Sequence, residues 1–134
     1  MRIAITGGAG YIGCRLSEYF LKNGHTVDCI DWLKWGVEPV LNIIDHPNFH
    51  LHRMDICTPA VEPILKQADA VVHLAGIIGF PACNADPSEA YRINVDGTKR
   101  VIDASANRPF VYASTGSVYG ALDSVCTELV EPNP

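Results

Sequence analysis

Apolar residues divide the chain into short strand-like segments separated by helical ones. Residues 11–23 follow a helical period, because their apolar side chains recur at every fourth position: Ile12, Leu16 and Phe20. Strands that alternate with helices need right-handed crossover connections, so the pattern predicts an α/β fold with a parallel sheet. The predicted strands are short and rich in β-branched residues: 2–6, 26–31, 48–55, 69–76 and 108–114.

A longer helix is predicted from Asp86 to about Ala106. Asp86 is a good N-cap residue, and Pro87 suits the first turn. One face of this helix is predicted to lie on the sheet, and it includes the amide of Asn94. A buried amide needs hydrogen-bond partners, since leaving it unpaired costs roughly 1–3 kcal/mol. The predicted inward face comprises Ala90, Asn94, Gly97 and Val101, widened by Tyr91, Val95 and Ile102.

The turn between the first strand and the first helix, TGGAGYIG, carries three glycines with separate tasks. Gly7 lets the chain turn sharply, Gly10 lets a pyrophosphate approach the backbone, and Gly13 lets helix and strand pack closely. Asp31 ends the second strand, where a carboxylate accepts hydrogen bonds from both ribose hydroxyls and repels a 2′-phosphate. The pattern therefore predicts an NAD site. The alternatives are NADP, with its phosphate bound by Lys34, and a tight turn beside an unrelated surface aspartate.

A dinucleotide site of this kind belongs to a Rossmann-type, doubly wound parallel sheet, whose strand order would be 3-2-1-4-5. That order places the fifth strand at an edge, and no sixth strand follows it in the sequence. We therefore expect the domain to be truncated before the sixth strand.

Composition and charge restrict the classes of function. The chain has 134 residues, 48% of them hydrophobic, which suits one globular domain over residues 1–134. A net charge of −5 without a run of lysine or arginine argues against nucleic acid or a membrane surface as a partner, and no apolar run reaches the roughly 20 residues that cross a bilayer. Five cysteines without a C-x-x-C pair suggest reduced thiols and a cytoplasmic location. No metal site is predicted, because no group of potential ligands has suitable spacing.

Six short motifs, in a fixed order along almost the whole chain, resemble one branch of a known superfamily. They resemble the extended short-chain dehydrogenases/reductases, in particular the NAD-dependent nucleotide-sugar epimerases and dehydratases. The motifs are TGGAGYIG (6–13), Asp31, MDI (54–56), HLAG (73–76), INVDGT (93–98) and STGSVYG (114–120).

The resemblance implies which residues hold NAD and which one takes part in the chemistry. Thr115 takes the position of the catalytic serine or threonine, and Ser114 is its neighbour near the cofactor. Two alternatives stay open, since Asp55 can simply cap a turn and Asn94 can be purely structural. His73, inside an apolar strand, is predicted to be a packed core residue. The implied cofactor-binding residues are Gly7, Gly10, Tyr11, Ile12, Gly13, Asp31, Asp55, Ile56, Leu74, Ala75, Gly76, Asn94 and Ser114.

The family's reaction begins with oxidation of a sugar alcohol to a ketone, with a tyrosine as the base and a lysine four residues later. Thr115 would orient the reacting oxygen through a hydrogen bond. The sequence contains five tyrosines, and none has a lysine at that spacing. Dehydratases of the family carry acidic residues after the threonine, where this chain has Gly116 and Ser117. We therefore expect epimerase chemistry, with a nucleotide-sugar dehydrogenase or reductase as the next choice.

Two hypotheses of different class follow. In the first, the chain is the N-terminal NAD-binding part of a nucleotide-sugar epimerase, inactive alone, whose substrate is bound by an absent C-terminal part. In the second, it is a stand-alone NAD-binding or interaction domain without catalysis. A homodimer is an option in either case, because an oligomer could cover the exposed fifth strand.

Overall fold

A parallel sheet of five strands forms the centre of the molecule, in the order β3-β2-β1-β4-β5. The computed structural model describes residues 1–121 and 125–134. Neighbouring strands pair in parallel throughout. The predicted α/β class, the Rossmann-type doubly wound sheet and the strand order 3-2-1-4-5 are therefore confirmed. The strands are β1 (Arg2–Thr6), β2 (Thr26–Asp31), β3 (Phe49–Arg53), β4 (Ala70–His73) and β5 (Phe110–Tyr112).

The helices cover both faces of the sheet. In the residues that the structure describes, none of them is long and apolar enough to cross a membrane. Short 3-10 turns lie at Glu38–Val40, Pro59–Val61 and Gly116–Tyr119. The α-helices are α1 (Tyr11–Lys22), α2 (Glu62–Gln67), α3 (Phe80–Ala85), α4 (Pro87–Tyr91) and α5 (Thr98–Ala104).

The predicted long helix is not one continuous α-helix. A π-helical segment, Arg92–Gly97, joins α4 to α5. Its hydrogen bonds span five residues instead of four, which shifts the inward face along the sequence. The prediction that Tyr91 and Ile102 face the sheet is therefore wrong, because they are 60% and 49% exposed, whereas Ile93 is buried.

Each face of the sheet carries its own apolar core, because successive strand residues point to opposite sides. Helix α1 covers one face, and α2 with α5 covers the other. The first core is formed mainly by Ile3, Ile5, Leu21, Val27, Cys29 and Val72. The second is formed mainly by Ala4, Ile30, Leu65, Val71, Ile93 and Val101.

One polar side chain in α1 is buried and forms no hydrogen bond within the described residues. Ser17 is fully buried, and its Oγ has no hydrogen-bond partner among residues 1–121 and 125–134. An unpaired buried hydroxyl costs about 1–3 kcal/mol, and alanine also has the higher helix propensity. Ser17→Ala is therefore expected to raise the free energy of unfolding by about 1 kcal/mol, measured by urea denaturation.

Ser105 is the matched control for this substitution. It is also buried, but its Oγ donates to the Val101 carbonyl over 2.6 Å. Ser105→Ala should lower the free energy of unfolding, because it removes a made hydrogen bond. Equal losses for the two variants would contradict our account of Ser17.

A second buried polar group joins the first three strands. Asp28 in β2 is fully buried, and the Arg2 guanidinium in β1 donates to it from Nε (2.6 Å) and Nη2 (2.8 Å). His52 in β3 lies 2.8 Å away through Nε2. Burial raises the pKa of Asp28, but the hydrogen bonds from His52 and Arg2 outweigh it and leave the pKa below its ordinary value. The carboxylate is therefore ionised at neutral pH, with its charge compensated inside the sheet.

Candidate functional site

The residues predicted to bind a dinucleotide lie at one edge of the sheet, where the parallel strands end. Since α1 packs on one face and α5 on the other, the chain leaves β1 and β4 in opposite directions and a crevice opens between them. The structure brings together the following segments at this edge: 7–13 after β1, Asp31 at the end of β2, 55–56 after β3, 74–76 after β4, and 114–115 after β5.

The glycines of the first turn are required by close contacts. Gly7 has a φ of +70°, and a Cβ added there would lie 2.7 Å from the Ala75 nitrogen. A Cβ at Gly13 would overlap the Gly7 carbonyl oxygen, so helix α1 can approach β1 only without a side chain. A Cβ at Gly10 would meet only that same oxygen, at 3.1 Å. Gly10 is thus the position that leaves the approach to the backbone open.

The start of α1 fits the phosphates of a dinucleotide. Its N-cap is Gly10, which supplies no capping side chain, and no acidic residue lies in the first turn. The first amides, at Tyr11 and Ile12, have no acceptor within the helix and carry the positive end of its dipole. Both side chains point into solvent, at 91% and 57% exposure. The backbone of these residues, and not their side chains, therefore suits an anionic ligand.

Gly8 is a further requirement that the sequence interpretation missed. A Cβ at Gly8 would lie 2.6 Å from the sulfur of Cys29 on β2. Cys29 is buried, and desolvation raises the pKa of its thiol to about 12. The only sequence signal was the double glycine itself, since its contact with β2 depends on the strand register.

Asp31 is held in place by the two loops that flank it. Its Oδ2 accepts a hydrogen bond from the Ala9 amide over 3.0 Å, and its Oδ1 accepts from the Leu33 amide over 2.8 Å. A carboxylate has about four acceptor sites, so each oxygen can still accept from a ribose hydroxyl. Lys34 lies instead over the rings of Trp32 and Trp35, at 5.5 and 5.8 Å from their centroids.

Asp55 both caps a turn and forms an ion pair. Its Oδ1 accepts from the Cys57 amide over 2.8 Å, as the alternative interpretation expected, and its Oδ2 accepts from Arg92 over 2.7 Å. Burial raises its pKa, but the bonds from Cys57 and Arg92 outweigh that effect and leave the pKa below the ordinary value. The Ile56 side chain is buried against Gly97, so only its backbone can face the crevice.

Asn94 fixes the loop that follows β4. Its Oδ1 accepts from the Ile77 amide and its Nδ2 donates to the Ile77 carbonyl, both over 2.8 Å. The two bonds satisfy the amide and hold the Leu74–Ile77 backbone beside a groove of about 320 Å³. The predicted residues that line this groove are Leu74, Ala75, Gly76, Asn94, Ser114 and Thr115.

His73 lies below this groove as a core residue. It is 1% exposed, with Nδ1 at 2.6 Å from the Thr6 hydroxyl and Nε2 at 2.9 Å from the Thr98 hydroxyl. Its ring stacks on Tyr112, with a centroid distance of 5.7 Å. Burial lowers its pKa to about 4, so the imidazole is neutral at neutral pH. The structure thus places His73 in the core, as the sequence predicted, and adds hydrogen-bond contacts to two hydroxyls that the sequence did not predict.

Thr115 and Ser114 are exposed at the rim of the groove. The Thr115 Oγ1 accepts a hydrogen bond from the Ser117 amide over 3.2 Å and so caps the short 3-10 turn. Because the oxygen accepts in that bond, the hydroxyl hydrogen remains available to donate to a ligand oxygen. Gly116, beside it, would admit a Cβ without any contact within 4 Å among the residues that the structure describes.

The sequence of the chain matches a known protein family. Residues 3–134 match the model of the NAD dependent epimerase/dehydratase family. The chain is 33% identical to a UDP-N-acetyl-alpha-D-glucosaminuronate decarboxylase of Bacillus cytotoxicus, over 89% of this chain and 38% of that protein. It is 32% identical to UDP-glucuronic acid decarboxylase 2 of Arabidopsis thaliana, over 90% of this chain and 27% of that protein.

Solved structures agree with the fold. The UDP-glucuronic acid 4-epimerase of Bacillus cereus, solved with UDP-glucuronic acid and NAD, superposes with a TM-score of 0.88 at 28% identity, covering 100% of this chain and 46% of that one. The UDP-N-acetylglucosamine 4-epimerase of Methanobrevibacter ruminantium gives a TM-score of 0.86 at 28% identity, with 99% and 44% covered. The chain thus spans less than half the length of each of these proteins.

Proposed function

The chain belongs to the NAD-dependent epimerase/dehydratase family, and from that premise we propose that it is the NAD-binding part of a nucleotide-sugar epimerase. One observation carries the proposal. The open start of α1 follows β1, the carboxylate of Asp31 ends β2, and the hydroxyl of Thr115 follows β5 at the rim of the groove beside β4, so all three lie at the same edge of the parallel sheet. The anion site, the ribose acceptor and the hydroxyl donor are the groups that NAD and a sugar alcohol require.

Each group has a separate task in this proposal. The backbone amides at the start of α1 bind the pyrophosphate, and Asp31 accepts hydrogen bonds from the adenosine ribose. NAD, when bound, supplies the acceptor for the hydride that leaves the sugar carbon. Thr115 donates a hydrogen bond that orients the reacting sugar oxygen. The sequence has no tyrosine with a lysine four residues later, so we propose that this chain alone binds NAD without turning over a sugar.

A second candidate is decarboxylation of a UDP-uronic acid, and the curated relatives that carry this name support it. Oxidation of a hydroxyl that is β to a carboxylate gives a β-keto acid, which loses carbon dioxide readily. Both candidates therefore share the same first step and the same use of Thr115. Dehydration receives less support, because Gly116 and Ser117 supply no acid or base.

The homodimer, the cytoplasmic location and the alternative of a stand-alone domain remain predictions from the sequence.

Asp31→Ala tests the proposed cofactor site. The unsubstituted chain is expected to bind NAD more tightly than NADP in isothermal titration calorimetry. The variant should lose about 10-fold or more in NAD affinity, because hydrogen bonds to a charged group contribute about 1.5–3 kcal/mol. It should lose little for NADP, whose 2′-phosphate Asp31 repels. The difference in affinity between NAD and NADP should therefore become smaller.

Asp103→Ala is the control, since Asp103 lies on α5, in a groove that α5 forms with α2, away from the crevice. Equal affinity of the unsubstituted chain for both cofactors would reject the role of Asp31. Formation of UDP-galactose from UDP-glucose by the same sample would reject the claim that the chain alone is inactive.

A further inference from the structure

Arg92 joins two carboxylates at the end of the crevice that lies beyond Asp31. From the π-helical segment, its Nη2 donates to Asp55 over 2.7 Å. Its Nε and Nη2 donate to Glu89 over 2.7 and 2.9 Å. The guanidinium therefore connects the loop after β3 to helix α4 through charge-assisted bonds, which are about twice as strong as neutral ones.

The strand order indicates what this end of the crevice receives. In a doubly wound fold the carboxylate at the end of β2 binds the adenosine ribose. Strand β3 lies on the far side of β2 from β1, so the base attached to that ribose would lie over the end of β3. The family resemblance of residues 54–56 implies the same position for adenine. Asp55 is the residue there whose side chain is ionised and only accepts hydrogen bonds. Adenine offers a donor, its exocyclic amino group, whereas hypoxanthine has a carbonyl oxygen at that position.

We propose that Arg92 is a positioning residue for adenine recognition, which holds the Asp55 carboxylate as the acceptor for the adenine amino group. The inference rests on the proposed function of the chain as an NAD-binding part. Within residues 1–121 and 125–134, two acceptor sites of Asp55 are used, by Cys57 and by Arg92, and about two remain. Glu89 in turn holds the guanidinium of Arg92. The Asp55 carboxylate therefore cannot rotate without breaking its hydrogen bonds to Cys57 and Arg92.

The backbone around Arg92 supports the same arrangement. The thiol of Cys57 donates to the Arg92 carbonyl over 3.3 Å. Gly97, at the other end of the π-helical segment, lies against the side chain of Ile56, where an added Cβ would come within 2.7 Å. The segment is thus seated on residues 55–57 by backbone and side-chain contacts. The backbone of Arg92 is therefore held in place.

Nicotinamide hypoxanthine dinucleotide provides the test, because it differs from NAD only at the base. The unsubstituted chain is expected to bind NAD about 10-fold more tightly than this analogue, as a hydrogen bond to a charged group allows. Arg92→Ala should lower NAD affinity about 5- to 10-fold and leave the affinity for the analogue almost unchanged. The ratio of the two dissociation constants, measured by calorimetry, should fall towards one.

Arg100→Ala is the matched control. Arg100 lies further along the same helical run, its side chain is 35% exposed against 38% for Arg92, and it donates to Glu62 over 2.9 Å. Loss of the Arg100 side chain should leave the ratio of the two dissociation constants unchanged. Arg92→Lys, which keeps the charge without the planar fork, provides a milder variant that should give an intermediate ratio if Arg92→Ala folds poorly.

A double-mutant cycle separates positioning from a general structural effect. In the Asp55→Asn background, Arg92→Ala should change the ratio less than about twofold, because the group that it positions is gone. A ratio unchanged by Arg92→Ala, or an equal loss for both dinucleotides, would overturn the inference and leave the proposed function standing. Failure of the unsubstituted chain to bind NAD would overturn the proposed function and this inference with it.

Discussion

Gly7→Ala is expected to weaken NAD binding by the chain at least about 100-fold. A side chain at a φ of +70° strains the backbone by about 1–3 kcal/mol. The added Cβ would also lie 2.7 Å from the Ala75 nitrogen and 2.8 Å from the Leu74 carbonyl carbon. Neither atom belongs to a flexible side chain, so the loop after β1 or the loop after β4 must move. Since both loops border the crevice, the displacement should fall on the cofactor site itself.

Gly24→Ala isolates the backbone strain from the contact. Gly24 has a φ of +77°, but a Cβ added there would meet nothing within 4 Å in the described part of the chain. The variant should lose about 1 kcal/mol of stability and retain its NAD affinity within about twofold. Calorimetry with NAD and thermal unfolding of both variants give the comparison. If Gly7→Ala binds NAD as Gly24→Ala does, the close approach of the two loops does not form the site.

Arg2→Met is expected to lower the free energy of unfolding by about 3 kcal/mol, at the lower end of the cost of leaving a buried charge unpaired. The variant keeps the carboxylate of Asp28, which is fully buried, and removes the donor of two of its hydrogen bonds. His52 continues to donate, so the charge retains one partner. Urea denaturation at neutral pH measures the loss.

The variant Arg2→Met/Asp28→Val is the control, because it removes the charge together with its partner. A valine in β2 suits a buried strand, so the double variant should be more stable than Arg2→Met alone. The pKa of Asp28 is lower in the folded chain than its ordinary value of about 3.9. Its contribution is therefore present above that value and lost as the pH falls through the folded-state pKa. A double variant less stable than Arg2→Met would show that burial of the charge is not what costs stability.

The strands could be predicted from local patterns, and their order from the glycine turn, which indicated a dinucleotide-binding sheet. β-Branched content marks the strands, and the alternation with helices restricts the topology to parallel crossovers. The cluster of Arg2, Asp28 and His52 could not be found in this way. Its members lie on three strands, and only the register of the sheet brings them together. The π-helical segment was missed for a related reason, since an apolar period cannot distinguish hydrogen bonds that span five residues from those that span four.

The candidate site was predictable where one residue type answers one physical demand. Glycine at position 7 is needed for a positive φ, and the structure has one there. Asp31 was predicted from its place at the end of a strand, but its bond to the Ala9 amide was not, because that contact joins two loops. Arg92 was not among the predicted site residues, and its link to Asp55 became apparent only from the geometry of the π-helical segment. The roles of these residues in binding stay predictions until the titrations are done.

The buried imidazole of His73 has a consequence for acid stability. Its pKa is 6.5 in an ordinary setting and about 4 in the folded chain, because burial between the Thr6 and Thr98 hydroxyls excludes water from it. As the pH falls below about 6.5, the unfolded chain binds a proton that the folded chain does not. Each pH unit between these two values then costs the native state about 1.4 kcal/mol. Acidification from about pH 6.5 to 5, above the range in which most carboxylates protonate, is therefore expected to remove stability through a single side chain.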